Sequence, residues 1–185
     1  MNEVEGYTKI AEVRIRKLIA NILAGVLTGL LVLFFVLIMS WLPHAAKPVE
    51  FSFSWFLVFV FFITMIHEGL HAYAAFRYGG LPRTSIHFGF NWKGLMPYCH
   101  LKAPISVKMY RVVGFMPLCI TGPIMVAIFF FYPALLTALL AATALASCSG
   151  DVMMMMRLHK FADDMLVLDH PSEPGFDIYS SSGSK

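Results

Sequence analysis

Within Ile66-His67-Glu68-Gly69-Leu70-His71-Ala72 lies a His-Glu-x-x-His motif. On a helix, His67 and His71 stand four positions apart and share a face. Two imidazoles at that spacing can hold one tetrahedral zinc ion. Glu68 then lies beside the metal, where it can take a proton from a bound water. The motif closes a hydrophobic run, since no charged residue occurs from Phe51 to Ile66. Ionisable residues at membrane depth are costly and usually functional. A coincidental histidine pair on a buried helix is therefore the weaker reading.

The helix that must carry this motif belongs to a strongly apolar chain. Of its 185 residues, 58% are hydrophobic and only 14% charged. An average soluble domain has about a quarter of its residues charged. With a mean hydropathy of +0.72, the chain reads as an integral membrane protein with one compact membrane domain. A net charge of +3 gives no support to a nucleic-acid partner. Cys99, Cys119 and Cys148 are odd in number and show no disulfide or zinc-finger pattern.

In order, residues 1–17 form a polar, cytoplasmic N-terminal segment, and residues 18–156 form a four-helix membrane domain. The first uncharged run, Leu18 to Leu42, can cross a bilayer and is longer than the apolar core of a signal peptide. The second run goes from Phe51 to about Tyr73 and carries the motif near its far end. Residues 77–111 form a polar connection in which Thr84 to Phe90 and Trp92 to His100 read as a β-hairpin. The third run, Val112 to about Tyr132, contains Pro117 and Gly122-Pro123, which predict a kink. Pro133 to about Met156 is the fourth. The polar tail, 157–185, ends in Ser-Ser-Ser-Gly-Ser-Lys and reads as a disordered cytoplasmic segment. The predicted fold class is thus an all-α membrane protein: four transmembrane helices with a short β-hairpin between the second and third.

Lys and Arg positions set the orientation. Four fall in residues 1–17 and six in 77–111, against one (Lys47) in the turn after the first run. Both termini and the long loop are expected on the cytoplasmic side of a cell membrane.

Between Glu50 and Asp163 the only carboxylates are Glu68 and Asp151. Asp151 lies near the cytoplasmic end of the fourth run, and the two histidines near the cytoplasmic end of the second. Antiparallel counting brings both places to a similar depth. A catalytic zinc needs three protein ligands and one open position. His67, His71 and Asp151 supply the three. An Asp at the membrane surface or capping a helix is the blander account. His87 and His100 are weaker candidates, because a histidine in a polar loop is by default solvated or hydrogen-bonded. Tyr98-Cys99-His100 is expected to face water rather than the metal. Met153–Met156 point all round a helix and cannot converge on one copper ion, so packing explains them better.

His67 to Ala72, then Tyr98-Cys99-His100, then Gly150-Asp151 resemble the zincin peptidase family of bacterial membrane proteins. More broadly the arrangement is similar to the site-2 protease group of intramembrane metalloproteases. The similarity covers roughly residues 50–160. It implies a zinc hydrolase within the bilayer, with His67, His71 and Asp151 as metal ligands and Glu68 as base. Two departures stand out. The site-2 group places its third ligand in Leu-Asp-Gly, whereas here the order is Gly150-Asp151-Val152. Its Asn-Pro span has only Gly122-Pro123 as a counterpart.

The expected activity is zinc-dependent hydrolysis of peptide bonds in a membrane-embedded protein or peptide, near the cytoplasmic side of a bacterial cytoplasmic membrane. Residues 84–100 are expected to line the entrance and hold the substrate as an added strand. The rival is a zinc-binding membrane module without turnover, a pseudoprotease that grips a partner helix. A small transporter has little support, because no inverted repeat is visible. Substrate identity and oligomeric state are not legible.

Overall fold

The computed structural model describes residues 4, 6–42, 51–91, 96–170 and 173–181. Its helices are α1 (Lys17–Trp41), α2 (Phe53–Arg77), α3 (Val107–Phe131), α4 (Leu135–Ser147) and α5 (Ser149–Leu158). Its strands are β1 (Tyr7–Arg14), β2 (Ile86–Asn91), β3 (Met96–Leu101), β4 (Ile105–Ser106), β5 (Leu166–Asp169) and β6 (Gly175–Ser181). The structure is mostly helical. Helices α1, α2, α3 and the α4–α5 pair are each long and apolar enough to cross a membrane.

Two details of these helices bear on the site. The fourth stretch is not one helix, because it breaks at Cys148. Ser147, Cys148, Ser149 and Gly150 are all poor helix formers. The Ser147 hydroxyl and Cys148 thiol both turn back to the Ala144 carbonyl, at 2.9 and 3.4 Å. The break starts a new helix whose first turn carries Asp151. Helix α3, by contrast, continues through both Pro117 and Pro123. Each proline lacks an N–H, so each releases the carbonyl four residues earlier, at Val113 and Cys119.

Helix α4 lies between α1 and α3, and α2 packs against α3. Close approach is possible because α4 turns alanines inward, with Ala138, Ala141, Ala142, Ala144 and Ala146 all buried. Phe35 of α1 and Phe129 of α3 meet over them, ring centroids 4.8 Å apart. A second core lies at the other end of the bundle. There Ala74, Ala75, Val107, Tyr110, Val113, Met155 and Leu158 meet residues of the strands. The site lies at this second core.

The expectation of an all-α chain with a disordered tail is corrected here. Residues 7–14, 166–169 and 175–181 join β4 in a four-stranded antiparallel sheet, ordered β1-β6-β5-β4. Overall polarity of the tail hid a strand pattern. Phe176 and Ile178 are buried on either side of Asp177, which pairs with Lys9 of β1 at 2.8 Å. Gly175 permits the approach of β1, since a Cβ there would collide with the Val13 carbonyl and its φ is +150°. The sheet ties both termini to the start of α3.

Strands β2 and β3 pair antiparallel, from Ile86↔Leu101 to Asn91↔Met96. Residues 92–95, which the sequence reading placed in the second strand, lie outside the described residues. Of the two strands, β3 lies against α2 more closely.

Candidate metal centre

Helix α2 delivers His67 and His71 from successive turns, and the first turn of α5 delivers Asp151 opposite them. The Nε2 atoms of the two histidines are 3.2 Å apart. His67 Nε2 lies 3.1 Å from one carboxylate oxygen of Asp151, and His71 Nε2 lies 3.4 Å from the other. A tetrahedral zinc with ligand bonds of about 2.0–2.1 Å would separate its donor atoms by about 3.3 Å. The three observed separations bracket that value. The side chains are 7%, 13% and 13% exposed, so water does little to screen them.

The protonation states follow from the other ring nitrogens. Nδ1 of His71 lies 2.9 Å from the Val113 carbonyl. A carbonyl can only accept, so Nδ1 carries a proton, and in the neutral ring the lone pair then lies at Nε2. That carbonyl is the one released by Pro117, so the proline in α3 sets the tautomer of a histidine in α2. For His67, Nδ1 faces the Cys148 sulfur at 3.9 Å. The thiol donates to the Ala144 carbonyl, which leaves its sulfur lone pairs toward the imidazole. Both histidines therefore aim lone pairs at the same point as the carboxylate of Asp151. Oδ2 of Asp151 is buried and makes no hydrogen bond among the described residues, despite the nearness of His67 Nε2. That donor set fits a divalent cation.

His67, Cys148 and Asp151 form a competing trio, with one candidate ligand atom of each within 4.8 Å of the others. Cys148, however, stands at Nδ1 of His67, the ring nitrogen opposite the one that meets Asp151 and His71. One ion cannot use both edges of that ring. The Nε2 atoms lie 3.2 Å apart and each lies 3.1–3.4 Å from one of the two Asp151 oxygens, close to the spacing of zinc ligands, with Cys148 as a hydrogen-bonding neighbour.

Glu68 is placed by the hairpin. Its Oε2 accepts the backbone N–H of Cys99 at 2.6 Å. The expectation that Tyr98-Cys99-His100 faces water is thus corrected for Cys99, since β3 folds back against α2, while the Tyr98 side chain stays exposed. The N–H of Leu101, two residues on, points the same way and is donated to Asp169 of β5 at 2.8 Å. While these groups are so engaged, no substrate strand can pair with β3 through them. The same strand leaves His100 outside the metal set, with Nδ1 3.7 Å from Asp169. His87 bonds its own loop at the Thr84 carbonyl. The Cys99 thiol is pushed up to about 12, chiefly by burial, with Glu68 and Asp169 adding repulsion. It stays a neutral thiol at physiological pH and is no nucleophile.

Sequence reasoning did not find the roles of Cys99, Val113 or Asp169. The first two act through backbone atoms, which residue type does not reveal. Asp169 had a usable signal, since it ends the apolar run Met165-Leu166-Val167-Leu168 inside a polar tail.

A helix-borne His-Glu-x-x-His motif, with a carboxylate from a second helix completing three donors, is the ligand chemistry of zinc metallopeptidases. The chain belongs to the family described as "Putative zincin peptidase", whose profile matches residues 60–166. That span holds both histidines, Glu68, Cys99, Pro117 and Asp151. No curated protein and no solved structure matches the chain. Membership points to a metallopeptidase and to zinc as its metal.

Pro117→Ala supplies an N–H that competes for the Val113 carbonyl. Groups that orient a metal-bound histidine are typically worth 10–100-fold in affinity. Zinc-buffer competition on the purified protein should show weaker binding by about 10-fold or more. An unchanged affinity would show that the released carbonyl does not hold His71.

Proposed function

We propose that the chain is an integral membrane zinc metallopeptidase, of the site-2 protease type, that hydrolyses peptide bonds of membrane-embedded substrates. The observation that carries this is the convergence of His67, His71 and Asp151 at tetrahedral spacing, with Glu68 adjacent, at one end of four long apolar helices. Zinc held there would polarise a carbonyl and lower the pKa of its water to about 7. Glu68 accepts the proton of the attacking water and passes it to the leaving amine. Cys99 holds Oε2, so Oε1 is the oxygen free for that exchange. Burial of the site excludes bulk water.

A second reading has one observation in its favour. Glu68 has a structural partner in Cys99, so its carboxylate would also be useful in a zinc-binding module without turnover, one that grips a partner helix. Glu68→Gln separates the two readings, because the amide keeps an oxygen for the Cys99 N–H but cannot act as base. The variant should fold, keep about one zinc per chain, and lose about 10²–10⁴ in rate on a membrane-embedded reporter. Full activity in the variant would contradict the mechanism. A wild type that cleaves no substrate but binds a partner helix as well as the variant does would favour the binding module.

The side of the membrane is part of the same proposal. The four-stranded sheet draws both termini and the start of α3 together. Lys and Arg crowd these same segments, which supports a cytoplasmic location for the sheet, the hairpin and the site. A cysteine placed at Lys102 should resist a membrane-impermeant maleimide in intact cells and react after lysis. Labelling of intact cells would reverse the orientation.

A further inference from the structure

Asp169 is the acidic group of the second core that neither the metal centre nor the family match accounts for. It closes β5, three residues past the matched segment. Its carboxylate accepts two hydrogen bonds, from the Leu101 N–H of β3 at 2.8 Å and from the Tyr110 hydroxyl of α3 at 2.6 Å. Tyr110 is itself buried, 6% exposed. Burying a carboxylate is costly unless its lone pairs are satisfied, and here a backbone donor and a phenol satisfy them.

What these two donors belong to is the point. Leu101 and Cys99 are two residues apart on one strand, so their N–H groups leave the same edge. The first goes to Asp169 and the second to Glu68. Tyr110 and Val113 are three apart on α3 and share a face. The first binds Asp169, and the carbonyl of the second holds His71. Asp169 therefore joins the strand that orients Glu68 to the helix that orients His71.

We propose that Asp169 is a positioning residue for Glu68: it clamps β3 to α3, and β3 in turn presents the Cys99 N–H that fixes the carboxylate beside the metal ligands. The proposal rests on Glu68 being the base. It adds that the C-terminal strand, beyond the metal-binding segment, sets where that base stands. Without the clamp, β3 keeps its apolar contacts and the Cys99–Glu68 bond to α2 but loses its hydrogen-bonded tie to α3. A displacement of about 1 Å at a reacting group can cost on the order of 10²-fold in rate.

The test uses full-length zinc-loaded protein in micelles, labelled with ¹⁵N-cysteine. Only three cysteine amides are present, at 99, 119 and 148. The Cys99 signal is assigned by its loss in Cys99→Ser, and its dependence on the carboxylate by its shift in Glu68→Ala. Asp169→Ala should move the Cys99 signal toward its position in Glu68→Ala. It should also lower kcat about 10–100-fold, with KM within about threefold and zinc content unchanged. Asp169→Asn keeps an oxygen for Leu101 and lets the Tyr110 hydroxyl accept from its amide. It should restore the Cys99 signal and at least about a third of kcat. Should the alanine protein fail to fold, the asparagine protein and Tyr110→Phe carry the test, because in each kcat must follow the Cys99 signal.

Loss of kcat with the Cys99 signal unmoved would overturn the proposal, as would a moved signal at full kcat. Loss of zinc alongside activity would also overturn it, since Asp169 would then support the metal fold in general. If no variant of Glu68 affects hydrolysis, the peptidase reading fails. The Cys99 signal in Asp169→Ala still decides whether the clamp exists.

Discussion

Two imidazoles and a carboxylate brought to one point in apolar surroundings need positive charge between them, supplied by a metal ion or by a proton. That constraint organises the structure around the site. It explains why each histidine has its outer nitrogen directed to an acceptor, the Val113 carbonyl for His71 and the Cys148 sulfur for His67. It also explains an Asp oxygen that is buried without a hydrogen bond. Among apolar helices, a metal ion offsets what would otherwise be an expensive cluster.

Two irregularities in the helices make the cluster possible. Pro117 releases a carbonyl at the height where His71 needs one. The break at Cys148 starts a fresh helix whose first turn presents Asp151. A straight, fully bonded bundle would have neither a free acceptor on α3 nor this placement of the aspartate. Pro117, which reads as part of a simple kink in the sequence, is thus part of how His71 is oriented. The strands play the corresponding part for Glu68, through Cys99 and the hairpin.

Much of this was legible in the residues. Helix spans followed from uncharged runs, and the histidines and Asp151 followed from motif spacing and the scarcity of acids between Glu50 and Asp163. Their convergence followed from counting antiparallel helices. What escaped did so for physical reasons. Hydrogen bonds from the Cys99 N–H and to the Val113 carbonyl leave no mark on residue type. In the C-terminal strand the inward residues, such as Phe176 and Ile178, are separated by charged or polar ones that dominate the composition. Pairing of residues 7–14 with 175–181 spans nearly the whole chain, beyond the reach of any local pattern.

The claim that zinc sits among the Nε2 atoms and Asp151, rather than at the Cys148 side of His67, is open to X-ray absorption at the zinc edge of the purified protein. The account predicts a first shell of nitrogen and oxygen at about 2.0–2.1 Å with imidazole scattering from two histidines, and no sulfur. A sulfur shell at about 2.3 Å would put Cys148 on the metal and contradict the ligand set described above.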